Sequence, residues 1–144
     1  MPLEGIGIVS NEETGRSLRI ALVAGGFSLK NDERGHGETG VDIEATKGDE
    51  TFHIEVIGFK KHPPQRSREF FEAFFRAISR LNQGATHCVL ALPERFKYGL
   101  PMRARQYSIA WKRIGGAFPE LEIWLVDTRK DTFEVTGWSD WLKR

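Results

Sequence analysis

The chain has 144 residues, 40% of them apolar and 28% charged, with 21 basic and 20 acidic side chains and a formal net charge of +1. That is length enough for a packed core, and the balance excludes intrinsic disorder, while a lone cysteine, Cys88, excludes an internal disulfide. No apolar run approaches membrane-spanning length, and MPLEGIGIVSNEE lacks a basic start followed by an apolar signal core, so a cytoplasmic protein with no membrane partner is expected.

We read residues 1–144 as one domain, with a core at about 10–136 and a tail carrying Trp138 and Trp141. Ser10 followed by Glu13 has the form of a capping box, which would start a helix running towards Gly25-Gly26, with Leu18, Ala21 and Leu22 at helical spacing, although Leu18, Ile20 and Leu22 also alternate as a strand would. The segment from Ser28 to Gly40 is glycine-rich and charged and reads as a loop or a short strand. Val41 to Ala45 and Thr51 to Phe59 are strand-like runs joined by the turn-forming Lys47-Gly48-Asp49-Glu50, and together they predict a β-hairpin.

Pro63-Pro64 interrupts regular structure. Beyond it Phe70, Phe71, Phe74, Phe75, Ile78 and Leu81 form one apolar stripe at helical spacing that ends before Gly84, and core packing is the expected role of the phenylalanines. Thr86 to Leu92 reads as a fully buried strand, which places Cys88 among apolar neighbours as an inert thiol. A helix from near Pro101 turns Tyr107, Ala110, Trp111 and Ile114 inward and closes at Gly115-Gly116. Leu121 to Val126 and Thr132 to Thr136 complete the strands, and the last tryptophans are expected to dock on the core. The order predicts an α/β fold: a mixed central β-sheet flanked by helices on both faces.

Charge is unevenly spread. Between Asp32 and Glu55 there are eight acidic residues against Arg34 and Lys47, whereas Arg95 to Arg113 holds six basic residues and no acidic one. Because strand side chains alternate, His53, Glu55 and Ile57 share one face, and Asp42 and Glu44 share one face of the partner strand. A register that sets Asp42 beside Glu55 makes two carboxylates converge in an apolar sheet, and such a pair needs a counter-charge. A hard divalent cation such as magnesium would supply it and would polarise a phosphate and acidify an attacking water.

The Glu residues of EETG, Asp42 in GVDIEAT, Glu55 in FHIEVIG and the layout of FFEAFFRAISRLNQGATHCVLALP together resemble the PD-(D/E)XK nuclease superfamily, whose fold is called restriction-endonuclease-like. The resemblance covers roughly residues 10–136 through a short, degenerate motif. It implies Asp42 and Glu55 as ligands of Mg2+ or Mn2+, the carbonyl of Val56 as a third oxygen and Glu13 or Glu12 as an outer ligand. The departure is Ile57, which stands where the family keeps a catalytic lysine. Lys60 and Lys61 are the nearest substitutes, Lys60 only if a bulge at Gly58 turns it back, with Lys47 and Lys112 weaker alternatives.

His53 is a candidate third ligand or base, against the ordinary reading of a half-exposed strand histidine; Glu44 is a candidate second-metal ligand, against a solvated strand position. His36 and His62 lie in charged stretches and carry less. Arg66, Arg68, Arg103, Arg105 and Lys112 are candidates for contacting a nucleic-acid backbone, DNA more than RNA. Three readings stay open: a metal-dependent nuclease with a relocated lysine, a non-catalytic module of the same fold that binds nucleic acid or a partner protein, and an unrelated small α/β domain. A homodimer or a subunit of a larger complex is compatible with each.

Overall fold

The computed structural model describes residues 7–30 and 42–144. Helix α1 (Asn11–Ala24) opens on Ser10, whose hydroxyl accepts from the Glu13 amide at 3.0 Å while the Glu13 carboxylate accepts from the Ser10 amide at 3.2 Å, the reciprocal cap the sequence predicts. A two-residue strand β1 (Ser28–Leu29) follows. The remainder of the predicted loop, with His36 and the acidic residues Asp32, Glu33 and Glu38, lies outside the described residues. Strands β2 (Ile43–Lys47) and β3 (Glu50–Val56) pair antiparallel around Gly48, whose φ of 61° suits a residue without Cβ. Both strands sit later or end earlier than the apolar runs suggest: β3 stops at Val56 because the next residues cross to α1, where Val9 and Phe59 form an isolated bridge.

Helix α2 (Pro63–Ser79) begins on the two prolines rather than beyond them, since proline lacks only an amide that the first turn leaves unbonded anyway. It runs into a 3-10 turn, Arg80–Gln83, closed by Gly84 at φ 81°. Strand β4 (His87–Pro93) leads to a second 3-10 turn, Glu94–Tyr98, which the sequence reading missed, and then to two helices, α3 (Leu100–Gln106) and α4 (Ser108–Ala117), where one was expected. Strands β5 (Leu121–Asp127) and β6 (Thr132–Gly137) precede a terminal 3-10 turn, Trp138–Leu142.

The six strands form one sheet in chain order, β1 to β6. Strands β3, β4 and β5 are parallel, and the remaining pairings are antiparallel. The mixed sheet with helices on both faces is therefore observed. Helix α1 covers one face with Leu18 and Leu22 against Ile54, Val89, Ala91 and Trp124; α2 to α4 and the terminal turn cover the other with Phe70, Trp111, Trp138 and Trp141 against Leu90, Leu92 and Ile123. Strand β4 is buried on both faces, which is why its sequence is apolar throughout.

Two expectations about burial are corrected. The inward stripe of α2 is Phe70, Ala73 and Ala77 followed by Arg80, while Phe71 and Phe75 face outward, 37% and 65% exposed. Tyr107 and Ala110 are likewise exposed, leaving Trp111 as the buried anchor of α4. The tail does dock on the domain: the Trp111 indole donates to the Trp138 carbonyl at 2.8 Å, and the Trp138 indole donates back to the Trp111 carbonyl at 2.9 Å. Each buried indole N–H is thereby satisfied.

Candidate functional site

Ile43 lies opposite Ile54 in the β2–β3 ladder, so one further step sets Asp42 opposite Glu55. Asp42 is exposed where Glu55 is buried, yet its charge bears on the Glu55 carboxyl. One Asp42 oxygen accepts from the Val56 amide at 2.8 Å, and the Asp42 carbonyl accepts from the Arg19 guanidinium at 3.1 Å. Glu55 projects towards α2 and is 1% exposed. Its two oxygens accept separately from Arg76 Nε and Arg80 Nε, each at 3.1 Å. Burial first, and then the charge of Asp42, push the Glu55 carboxyl above its ordinary range, while Arg80 and Arg76 pull it back.

The counter-charge that the buried Glu55 requires is thus supplied from within the chain, while Asp42 is exposed. Arg76, in the last turn of α2, and Arg80, which opens the 3-10 turn after it, are four residues apart, the spacing that lets two guanidiniums reach one carboxylate. The sequence reading missed both. The available signal was Arg80 falling on the Phe70, Ala73, Ala77 stripe, where an arginine needs a partner across the core.

The expected lysines are elsewhere. Lys60 donates to Glu69 at 2.8 Å and to Asn11 at 2.9 Å; although burial works against it, those bonds and one from Gln65 hold Glu69 below the usual carboxylate range. No bulge turns Lys60 back, because Gly58 is pinned: its amide donates to Asn11 at 2.7 Å, and a Cβ there would lie 2.1 Å from the Val9 carbonyl oxygen. Lys61 is exposed, Lys47 donates to the Gly25 carbonyl at 3.0 Å, and Lys112 is exposed on α4. Ile57, 2% exposed, packs into the α2-side core.

Glu13 is occupied in capping α1, and Glu12 is exposed. Among the described residues, no three side chains of His, Cys, Asp and Glu converge as a metal-holding group. His53 is not half-exposed as expected but 4% exposed, with Nε2 at 3.9 Å from Glu44 and a buried Nδ1 that has no hydrogen-bond partner. Burial holds its imidazole below its ordinary value, so it sits neutral in the sheet. Glu44 also lies 3.6 Å from Lys30, and His62 is the exposed residue before α2. Cys88 is buried as expected, its thiol pushed up to about 11, chiefly by desolvation.

Two of the five basic candidates serve the fold. Arg66 bonds the Lys60 carbonyl and lies over Phe59 at 4.3 Å; Arg103 bonds Ser67 and lies over Phe70 at 5.0 Å. Arg68, Arg105 and Lys112 are exposed. Among the described residues no helix is long and apolar enough to cross a membrane.

Comparison with known proteins adds a fold. The chain is similar to the crystal structure of an XisH family protein from Nostoc punctiforme PCC 73102, with a TM-score of 0.57 and 18% identity over 87% of this chain and 99% of that one. The likeness is one of architecture. No protein-family model and no curated protein matches the sequence.

Proposed function

We propose that this protein is a nuclease-like fold whose catalytic position has been rebuilt into a structural ion network, and that it acts by binding rather than by hydrolysis. One observation carries the reading: both oxygens of the buried Glu55 are bonded to arginines of the chain itself. A divalent ion at that carboxylate would have to displace a guanidinium and would then meet two further cations at close range. The donor set around Asp42 and Glu55 therefore does not fit Mg2+ or Mn2+, and no hydrolytic step is derived through one. Ile57 agrees with this, because no ammonium stands where an attacking water would be oriented.

The partner proposed for this module is nucleic acid, held along its backbone by the exposed Arg68, Arg105 and Lys112, the last two lying in a segment, Arg95 to Pro119, without acidic residues. Contacts of this kind position a duplex without reading sequence. The test incubates the native protein, with Asp42→Ala and Glu55→Ala beside it, with supercoiled plasmid and single-stranded DNA in magnesium or manganese. Electrophoretic shifts are read in parallel at rising salt. Retarded DNA without cleavage is expected, with affinity falling steeply as salt rises. Cleavage by the native protein that both variants abolish would refute the proposal and restore the nuclease reading, for which the Asp42–Glu55 juxtaposition is the supporting observation.

A further inference from the structure

The outward side of α2 and α4 carries a feature that the Glu55 network does not use. Phe71 and Phe74 of α2, Tyr107 between α3 and α4, Ala110 and Ile114 of α4, and Trp138 enclose a groove of about 310 Å3. Phe75 extends the apolar strip along α2 at 65% exposure. The groove offers no free polar group at its base: the indole nitrogens of Trp111 and Trp138 are each committed to the other's carbonyl. Small-molecule sites usually add a few convergent polar groups to an apolar wall, and this one lacks them.

Ring geometry decides against a base-stacking platform. Trp111 and Trp138 stack on each other at 3.8 Å, Phe70 stacks on Trp111 at 6.2 Å, and Phe71 packs edge-on to both Phe70 and Tyr107. The flat faces on which nucleobases would stack are largely consumed internally. What remains is a furrow between two helices, fitted to aliphatic side chains.

Its border is basic. Arg68 lies three residues before Phe71 on α2, Arg113 three residues after Ala110 on α4, and Arg103 sits 5.5 Å over Phe71. Among the described residues none of these three makes an ion pair; of the two acidic residues in that stretch of α2, Glu69 is committed to Lys60 and Gln65, and Glu72, four residues after Arg68, points away from Phe74. An apolar furrow with unpaired guanidiniums on both banks is complementary to a helix with an apolar stripe flanked by carboxylates. We infer that the α2–α4 groove is a docking site for an acidic amphipathic helix of a partner protein. The inference goes beyond the reading of the Glu55 site and holds whether or not that site hydrolyses anything.

The test uses the full chain and fluorescently labelled 18-residue helical peptides as probes. One carries leucine at i, i+3 or i+4, and i+7 with glutamate flanks; the second has lysine flanks; the third replaces the leucines of the first with glutamine. Anisotropy titration is expected to give the acidic amphipathic peptide at least about tenfold tighter binding than either control, a factor of ten being about 1.4 kcal/mol. Ala110→Glu, at an exposed position, should abolish that binding with the thermal midpoint unchanged. Arg68→Glu combined with Arg113→Glu should invert the preference towards the lysine-flanked peptide. Equal binding of the acidic and basic peptides, retention by the glutamine control, or indifference to Ala110→Glu would each overturn the inference. So would concentration-dependent dimerisation abolished by Ala110→Glu, since a second copy would then fill the groove, and so would binding of a dT20 strand that Ala110→Glu abolishes, since a nucleic acid would then fill it.

Discussion

Glu55→Gln is the substitution that most directly tests the ion network. Glutamine keeps the shape but removes the charge, leaving Arg80, whose side chain is 10% exposed, and Arg76, 46% exposed, without their carboxylate. Breaking a buried ion pair by deleting one partner costs about 3–5 kcal/mol, whereas exposed pairs are worth roughly 0–1 kcal/mol. The Arg80 half should therefore dominate. Relief of repulsion from Asp42 offsets part of the loss, so about 3 kcal/mol is expected for Glu55→Gln, similar for Arg80→Ala, and about 0.5 kcal/mol for Arg76→Ala. For a chain of this length the first two losses lower the thermal midpoint by roughly 10 °C. Urea denaturation followed by tryptophan fluorescence reads all three, and Glu55→Leu with Arg80→Met should cost less than either single change because an apolar pair needs no counter-charge. A Glu55→Gln protein as stable as the native one, or more so, would refute the reasoning: Glu55 would then be a strained ligand held for function against stability.

Ile57→Lys, which places a lysine where the nuclease superfamily that the sequence resembles keeps one, should destabilise by about 3 kcal/mol, since it puts an ammonium in the α2-side core, and should give no magnesium-dependent cleavage of plasmid; stable folding with new cleavage would contradict the proposed role of the arginines. Gly58→Ala should cost about 2–3 kcal/mol in urea, because its Cβ would meet the Val9 carbonyl and Ser10 backbone rather than a yielding side chain; an unchanged midpoint would mean the crossing to α1 is loose. His87 bridges Glu122 through Nδ1 and Glu50 through Nε2, and although burial opposes it, the two carboxylates hold its imidazole above its ordinary value. A histidine raised in the folded state contributes stability that is fully present below about pH 6.5, its unfolded value, and is lost as pH rises through the higher folded value. The native midpoint should accordingly fall across that window and that of His87→Gln should not; parallel curves would refute the bridge.

How far the sequence alone could go is visible in individual residues. The cap at Ser10 and Glu13, the turn at Gly48 and the doubly buried β4 are short-range matters of hydrogen-bond geometry and side-chain alternation, so they were legible in the string. The hairpin itself was legible, and it made the neighbourhood of Asp42 and Glu55 conditional on a register that the ladder from Lys47 and Glu50 to Ile43 and Ile54 supplies. The chemistry of that pair was not. Whether the buried carboxylate waits for a metal or is neutralised from within depends on which side of α2 meets β3, and Arg76 and Arg80 lie 21 and 25 residues beyond Glu55. Periodicity marked α2 as a helix but could not choose between a phenylalanine-rich face and one of Phe70 with small residues. The close packing of helix on sheet selected Ala73 and Ala77, turned Phe71 and Phe75 outward and carried the arginines in. Tertiary packing alone decided that the carboxylate faces guanidinium.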